Sequence, residues 1–240
     1  NELVGHSFGN LFIAAMAAIT GNFERAIVES SRVLAVTGCI LPASIENVTL
    51  CAEVVDGEGE NYQILNVRGE SQVPQRGRVI QRVYLQPDGV RAYPEALRAI
   101  LDADLIVIGP GSLYTSILPN LLIEEIATAI RTAAAPKVYV CNTATQIGET
   151  ENFSVEDHIR VVQRYVGNVF LQVLVNNNFD VEVPADWADK LVSMQTPTVT
   201  TTQHYAISAD DLIDPASPWR HHSAKLATSV MKLYETLKAG

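Results

Sequence analysis

An α/β fold with a mainly parallel sheet and a small antiparallel insertion is what this sequence predicts, on three observations. Short apolar runs at residues 105–108, 138–141 and 169–175 each pass directly into a polar loop. Helical periodicity fills the intervals between them, and alternating strands and helices imply parallel strands joined by crossover helices. Residues 40–90 have a different character: apolar and polar residues alternate over 48–54, as in a half-exposed antiparallel strand, and two more strand-like runs follow.

The elements follow in chain order. Leu11, Ala14, Ala15 and Ala18 recur at helical spacing and Gly21 supplies a stop, with a second helix over residues 24–34. Val48, Leu50, Ala52 and Val54 alternate with Thr49, Cys51 and Glu53 before the turn pair Asp56-Gly57. Strands near 62–67 and 79–85 flank a polar loop at 69–77, so a small β meander is expected to occupy 40–90 as an inserted subdomain. Pro94 opens a helix to residue 101, and the β-branched run that follows reads as a central strand covered on both faces. Ser154 with Asp157 three residues on forms a capping box, and that helix ends before Gly167. The third apolar strand ends in Asn176-Asn177-Asn178. After Pro184 the Thr-rich stretch 196–202 fits an edge strand or an extended segment equally, and a last helix runs from Ser223 to Leu237.

Chemistry concentrates in the loops after the strands. Gly109-Pro110-Gly111-Ser112 follows the first apolar strand and precedes a helix carrying Leu118, Leu121, Leu122 and Ile126. Free N–H groups and the positive end of a helix dipole favour anions there. Gly109 and Gly111 allow close approach of the backbone, while Ser112, Thr115 and Ser116 donate hydrogen bonds without adding charge. An ordinary glycine turn that binds nothing is the plain alternative. Parallel strands send all their C-terminal loops to one sheet edge, where open α/β sheets hold ligands. Asn142, Thr145, Gln146, Gly148, Glu149 and Thr150 of the second loop are therefore expected beside the glycine turn. Glu149 suits a sugar hydroxyl, a ribose or a metal, or is simply a solvated loop acid. Gly69-Glu70-Ser71 reads as a lid over the crevice or as a plain surface turn. Arg220-His221-His222 offers the crevice a cation, whereas Arg76, Arg78 and Arg82 read as a solvated strand face.

Composition narrows the functions. The chain has 240 residues, 48% apolar and 18% charged, enough for one large domain with a sizeable core. A net charge of −10 and pI near 4.9 argue against a nucleic-acid surface. Cys39, Cys51 and Cys141 lack metal-type spacing and read as reduced thiols of a cytoplasmic protein. The apolar run 11–19 is shorter than the about 20 residues that cross a bilayer, so no membrane partner is expected. Gly5-His6-Ser7-Phe8-Gly9 matches the nucleophile elbow of α/β hydrolases, but an elbow needs a buried strand before it, and His158, His204, His221 and His222 stand in no recognisable triad order. His6, Ser7 and Asn10 read better as neutral ligand donors around a helix N-terminus. The glycine turn lacks the third glycine of a nicotinamide site, Asn142 stands where a ribose-binding acid would be expected, and no Walker A loop is present.

The segments GHSFGNLFIAA, GESQVP, ADLIVIGPGSLYTSILPNLL, KVYVCNTATQIGETENFS and RHHSAKLA, spread from Gly5 to Ala227, resemble the bacterial gluconeogenesis factor family, YvcK-type proteins of the CofD-like superfamily. The resemblance implies a single CofD-like domain over 1–240, Rossmann-like, with three α/β/α layers and a nucleotide crevice at the strand ends. It also implies a first strand and a G-G-G-T-G loop that have no counterpart in these residues, so the domain is expected to lack them. The family's regulatory branch is associated with UDP-sugars such as UDP-N-acetylglucosamine, and with cell shape and wall synthesis during gluconeogenic growth. Its enzymatic branch moves a 2-phospholactyl group from a GDP-linked donor to a deazaflavin coenzyme precursor, with magnesium. The wording of GPGSLYTSILPNLL and CNTATQIGETENF favours the first branch. A UDP-sugar or other nucleoside diphosphate is therefore the expected partner, with no certain cofactor and with Mg2+ only for a transferase. Catalytic residues are unassigned and no metal ligand is named. A homo-oligomer and a protein partner in wall synthesis are left open.

Overall fold

The computed structural model describes residues 8–35, 37–57, 62–75, 77–168, 172–182 and 205–239. Two helices, α1 (Phe8–Thr20) and α2 (Phe23–Val33), come first and pack chiefly against each other. Asn22 caps α2 by accepting a hydrogen bond from the Arg25 N–H at 2.9 Å. No single helix among the described residues is long and apolar enough to cross a membrane.

The next three strands, β1 (Thr49–Asp56), β2 (Gln63–Arg68) and β3 (Arg78–Gln86), form an antiparallel sheet. Their spatial order is β2-β1-β3, so β1 is central, where a meander in chain order would centre β2. Burial explains the choice. Leu50, Cys51, Ala52 and Val54 of β1 are buried, as an inner strand requires, whereas β2 alternates between exposed and half-buried residues and suits an edge.

After α3 (Pro94–Leu101) the parallel sheet begins with β4 (Ile106–Ile108). A π-helical turn at Leu113–Ile117 leads into α4 (Leu118–Leu121) and α5 (Glu124–Thr132). Then come β5 (Lys137–Val140), α6 (Val155–Val166), β6 (Gln172–Asn176), β7 (Ala206–Asp210), the short pair β8 (Ile213–Asp214) and β9 (Ser217–His221), and α7 (Ser223–Ala239). The order β4-β5-β6-β7 is all parallel, with Val107 opposite Val138, Val138 opposite Gln172 and Gln172 opposite Ala206. Strand periodicity then sorts the core into two faces. Ile106, Ile108, Tyr139, Cys141, Val173 and Val175 pack with α5 and α6 and with the antiparallel sheet, while Val138, Val140 and Leu174 pack with Leu212 and Leu233. Helices thus cover both faces of one parallel sheet, a Rossmann-like three-layer α/β/α arrangement with an antiparallel insertion. The capping box of α6 is formed as expected.

Three readings need correction. The strand before the glycine turn is an edge of the described sheet, with Val107 40% exposed, because β5 flanks it on one side only. The helix expected directly after Ser112 is preceded by the π turn, in which the Ser112 carbonyl accepts from both Ser116 N–H and Ile117 N–H at 2.9 Å. The parallel sheet also has a fourth strand, β7, absent from the sequence reading; the 196–202 stretch lies outside the described residues.

Candidate functional site

The C-terminal ends of β4 and β5 and the β9–α7 connection enclose a crevice of about 530 Å³, the size range of small-ligand sites. Its floor is the glycine turn. Gly109 has φ +83°, and a Cβ there would stand 2.9 Å from the Val140 carbonyl oxygen, so only glycine fits. Gly111 is different: a Cβ would meet Ser116 Cβ at 3.5 Å, an ordinary contact, and the position has no positive φ. The backbone constraint therefore sits at Gly109, which packs on β5, and Gly111 lines the crevice with room for a small side chain.

Side chains of the β5 loop hold this floor in place. The Asn142 amide donates to the Gly111 carbonyl at 3.0 Å and accepts from the Gly111 N–H at 3.4 Å. Gln146 Nε2 donates to Ser112 Oγ at 2.8 Å. Glu149, buried, accepts from the Tyr114 N–H at 3.1 Å and from the Thr115 hydroxyl at 2.7 Å. A carboxylate of the chain itself thus occupies the donors at the start of the π turn, where the sequence suggested a ligand anion. Burial raises the Glu149 pKa above its ordinary value, the Thr115 hydroxyl and the turn's N–H groups pull it down, and the charge of Glu70 pushes it up. Glu149 is not among the residues lining the crevice. It acts on the site as the clamp of the turn.

The opposite wall is made by Trp219, Arg220 and His221 of β9 with Ser223 and Leu226 of α7. His221 Nε2 lies 3.2 Å from the Cys141 carbonyl. A carbonyl accepts, so Nε2 carries the proton and donates, and burial lowers the ring's pKa while that carbonyl opposes the shift. Arg220 is exposed at the rim. Two buried polar atoms on the β5 side, Thr143 Oγ1 and Gln146 Oε1, have no hydrogen-bond partner. The Cys141 thiol, beneath the crevice, is pushed up to about 12 by burial and is no nucleophile at neutral pH.

Of the residues singled out from sequence, Pro110, Gly111, Ser112, Asn142, Thr145, Gln146 and Arg220 line this one crevice. Gly109 and Ser116 face a separate apolar groove beside β4, and Thr115 faces a third cavity with Glu70 and Asn120. Thr150 is fully buried, and its hydroxyl accepts from the Gln146 N–H at 2.9 Å. Gly148, φ +79°, packs so closely that a Cβ would lie 2.6 Å from the Gln75 nitrogen. The 69–75 segment accordingly backs the β5 loop and does not lid the crevice. Asn10 lies in the first turn of α1; its side chain, with His6, Ser7, His204 and Arg76, lies outside the described residues. His158 is buried in α6, its Nδ1 2.8 Å from the Ser154 carbonyl and its ring edge-on to Phe153, away from the crevice. Arg78 and Arg82 pair with Asp56 and Glu53 on the antiparallel sheet. Sequence reasoning did not name Trp219 or Thr143. The signal for Trp219 was its place directly before Arg220, in a strand too short to stand out by periodicity.

A family model described as 2-phospho-L-lactate transferase CofD matches residues 1–211. A relative named gluconeogenesis factor, from Bacillus subtilis, is 46% identical over 181 residues, covering 75% of this chain and 55% of its own length. Another of that name, from Halalkalibacterium halodurans, is 38% identical over 245 residues, 97% of this chain and 71% of that protein. A putative gluconeogenesis factor of Nostoc is 49% identical over 176 residues, 72% of this chain and 37% of its own length. Relative to the first and third of these, the chain spans only about a third to a half of the protein. A crystal structure of a UPF0052 family member from Bacillus halodurans superposes with a TM-score of 0.80 at 36% identity, covering 96% of this chain and 74% of that one.

Proposed function

The chain belongs to the CofD family, among relatives named gluconeogenesis factor, and on that premise we propose that its crevice binds a UDP-sugar or related nucleoside diphosphate. In this reading the protein is a cytoplasmic regulator of cell shape and wall synthesis during gluconeogenic growth. One observation carries the proposal: an exposed arginine, Arg220, stands on the same crevice as the neutral donors of the strand-end loops in a chain of net charge −10. A diphosphate needs local positive charge that the rest of this protein withholds. Ser112 and the loop amides add hydrogen bonds that orient without charge.

The alternative is the transferase activity carried in the name of the matching family model. A diphosphate-cleaving transfer gains from a divalent ion that offsets charge developing in the transition state. The residues present do not fit such an ion: among the described residues no three His, Cys, Asp or Glu side chains converge, and Glu149 is engaged by Tyr114 and Thr115. Calorimetric titration with UDP-N-acetylglucosamine, GDP and NAD, each with and without magnesium, tests the proposal. Saturable binding of the UDP-sugar without magnesium is expected. Binding of GDP alone, only with magnesium, would favour the transferase, and silence with every nucleotide would overturn both readings.

A further inference from the structure

We infer that β2 is an interface strand: it pairs antiparallel with β2 of a second copy of this chain, so that two three-stranded sheets join into one continuous sheet. The order β2-β1-β3 leaves two edges, and they are finished differently. The Gly69 N–H donates to the Leu50 carbonyl at 2.8 Å, and along an antiparallel pair the residues that bond to the neighbouring strand alternate with those that do not. Val67, Leu65 and Gln63 therefore bond to β1, while the N–H and C=O groups of Ile64, Asn66 and Arg68 point away from it. On β3 the groups that point away are covered by α6: the Val83 N–H donates to the Tyr165 hydroxyl at 2.7 Å, and the Gln81 carbonyl accepts from Arg164 at 3.3 Å. Among the described residues nothing caps β2 in this way.

The composition of the strand suits a second copy. Sheet edges are ordinarily guarded by lysine, proline or a bulge, and β2, with the sequence QILNVR and an unbroken register against β1, has none of these. Outward groups pair only with outward groups, so a two-fold axis through Asn66 sets Asn66 opposite its own copy and Ile64 opposite the partner subunit's Arg68. That register preserves both faces of the sheet. Leu65 and Val67, which pack against the core, meet across the axis on the inner face. On the outer face the aliphatic stem of Arg68 covers Ile64, which is 59% exposed. Charge points the same way: the chain carries 27 acidic residues and a net charge of −10, so two copies repel over most of their surface, yet β2 holds no acid and one arginine. The acids behind it on β1, Asp56 and Glu53, are already paired with Arg78 and Arg82.

Sedimentation velocity of the whole chain over a wide concentration range tests the pairing, with hydrogen–deuterium exchange to locate it. The parent is expected to shift from the mass of one chain toward that of two as concentration rises, and the amides of Ile64, Asn66 and Arg68 to gain protection in step. Asn66→Pro deletes an N–H that points away from β1, so the sheet keeps its own bonds, and this variant should remain at the mass of one chain. Should it fail to fold, Asn66→Lys, which sets like charges opposite each other on the axis, carries the same comparison. Val79→Lys, an exposed change on β3 at the same outer face, should leave association at the parent level. A parent that stays at the mass of one chain throughout would overturn the inference. So would association that survives Asn66→Lys or leaves those amides unprotected, because the contact would then lie on another face.

Discussion

The two walls of the crevice are built on opposite plans. On the β4–β5 side most of the polar groups are already engaged within the chain: Asn142 grips Gly111, Gln146 holds Ser112, and Glu149 fills the donors of the π turn. On the β9–α7 side Arg220 stands exposed and Trp219 lines the cavity. The contrast separates shape from recognition. The glycine turn is a fixed floor whose hydrogen bonds mostly go to its own loops, and the side that offers a ligand a charged group is the one contributed from the far end of the chain. A motif rich in glycine and hydroxyls is therefore not by itself the place where the ligand's charge is met.

Fixing the floor should dominate stability, and the largest effect expected lies there. Gly109→Ala forces a side chain into a left-handed backbone conformation and onto the Val140 carbonyl, and should lower stability by roughly 2–5 kcal/mol. Gly111→Ala, on the same turn but with ordinary contacts, should stay within about 1 kcal/mol of the parent. Urea titration of both variants measures the difference. Equal losses would mean that the turn moves as a unit and that the floor is not pinned to β5 at Gly109.

The wall should show itself in affinity. Arg220→Ala removes a charge-assisted hydrogen bond, for which roughly 1.5–3 kcal/mol is expected, or about tenfold to somewhat over a hundredfold in affinity for a UDP-sugar. Arg82→Ala is the control. That guanidinium is held by Glu53 at 2.6 Å on the antiparallel sheet and does not line the crevice, so its loss should leave binding unchanged. Small, matching losses in a calorimetric titration would remove Arg220 from the site.

Local interactions made much of this legible in the sequence. The capping box of α6 involves residues three apart, the strand β5 is apolar on both faces, and the glycine turn follows its strand directly, so each signal fits in a short window. Non-local pairing did not. β7 adds to the sheet only by pairing with β6 more than thirty residues earlier, and its half-exposed pattern has no continuous apolar run to mark it. The order β2-β1-β3 was equally hidden, because pairing partners are chosen by which strand is buried on both sides. Glu149 was legible as an unusual loop acid, but its partners Tyr114 and Thr115 lie about 35 positions away and are brought to it by the β4–β5 crossover. Trp219 became part of the site only once the β8–β9 pair had turned the chain back over the strand ends.

Acid titration gives the smallest effect and probes both sides at once, because burial shifts their titratable groups in opposite directions. It lowers His221 on the wall and His158 inside α6 below the ordinary 6.5, against their carbonyl partners. As pH falls from neutrality through 6.5, the unfolded chain takes up those protons first, and stability falls. Burial raises Glu149 above its ordinary 4.5, so the folded chain binds its proton more tightly, and the stability it contributes is complete below 4.5 and is lost as pH rises through the folded value. Each group changes stability by at most about 1.4 kcal/mol per pH unit. His158→Gln should therefore flatten the acid loss seen by urea titration, whereas Glu149→Gln, which keeps the side chain's length and one acceptor for Thr115, should steepen it between the folded carboxyl's pKa and 4.5. A Glu149→Gln profile that superposes on the parent over that interval would mean that the carboxyl is hydrated in solution. In that case the donors of the π turn would be open to an anion after all, and the contrast between a closed floor and an open wall would fail.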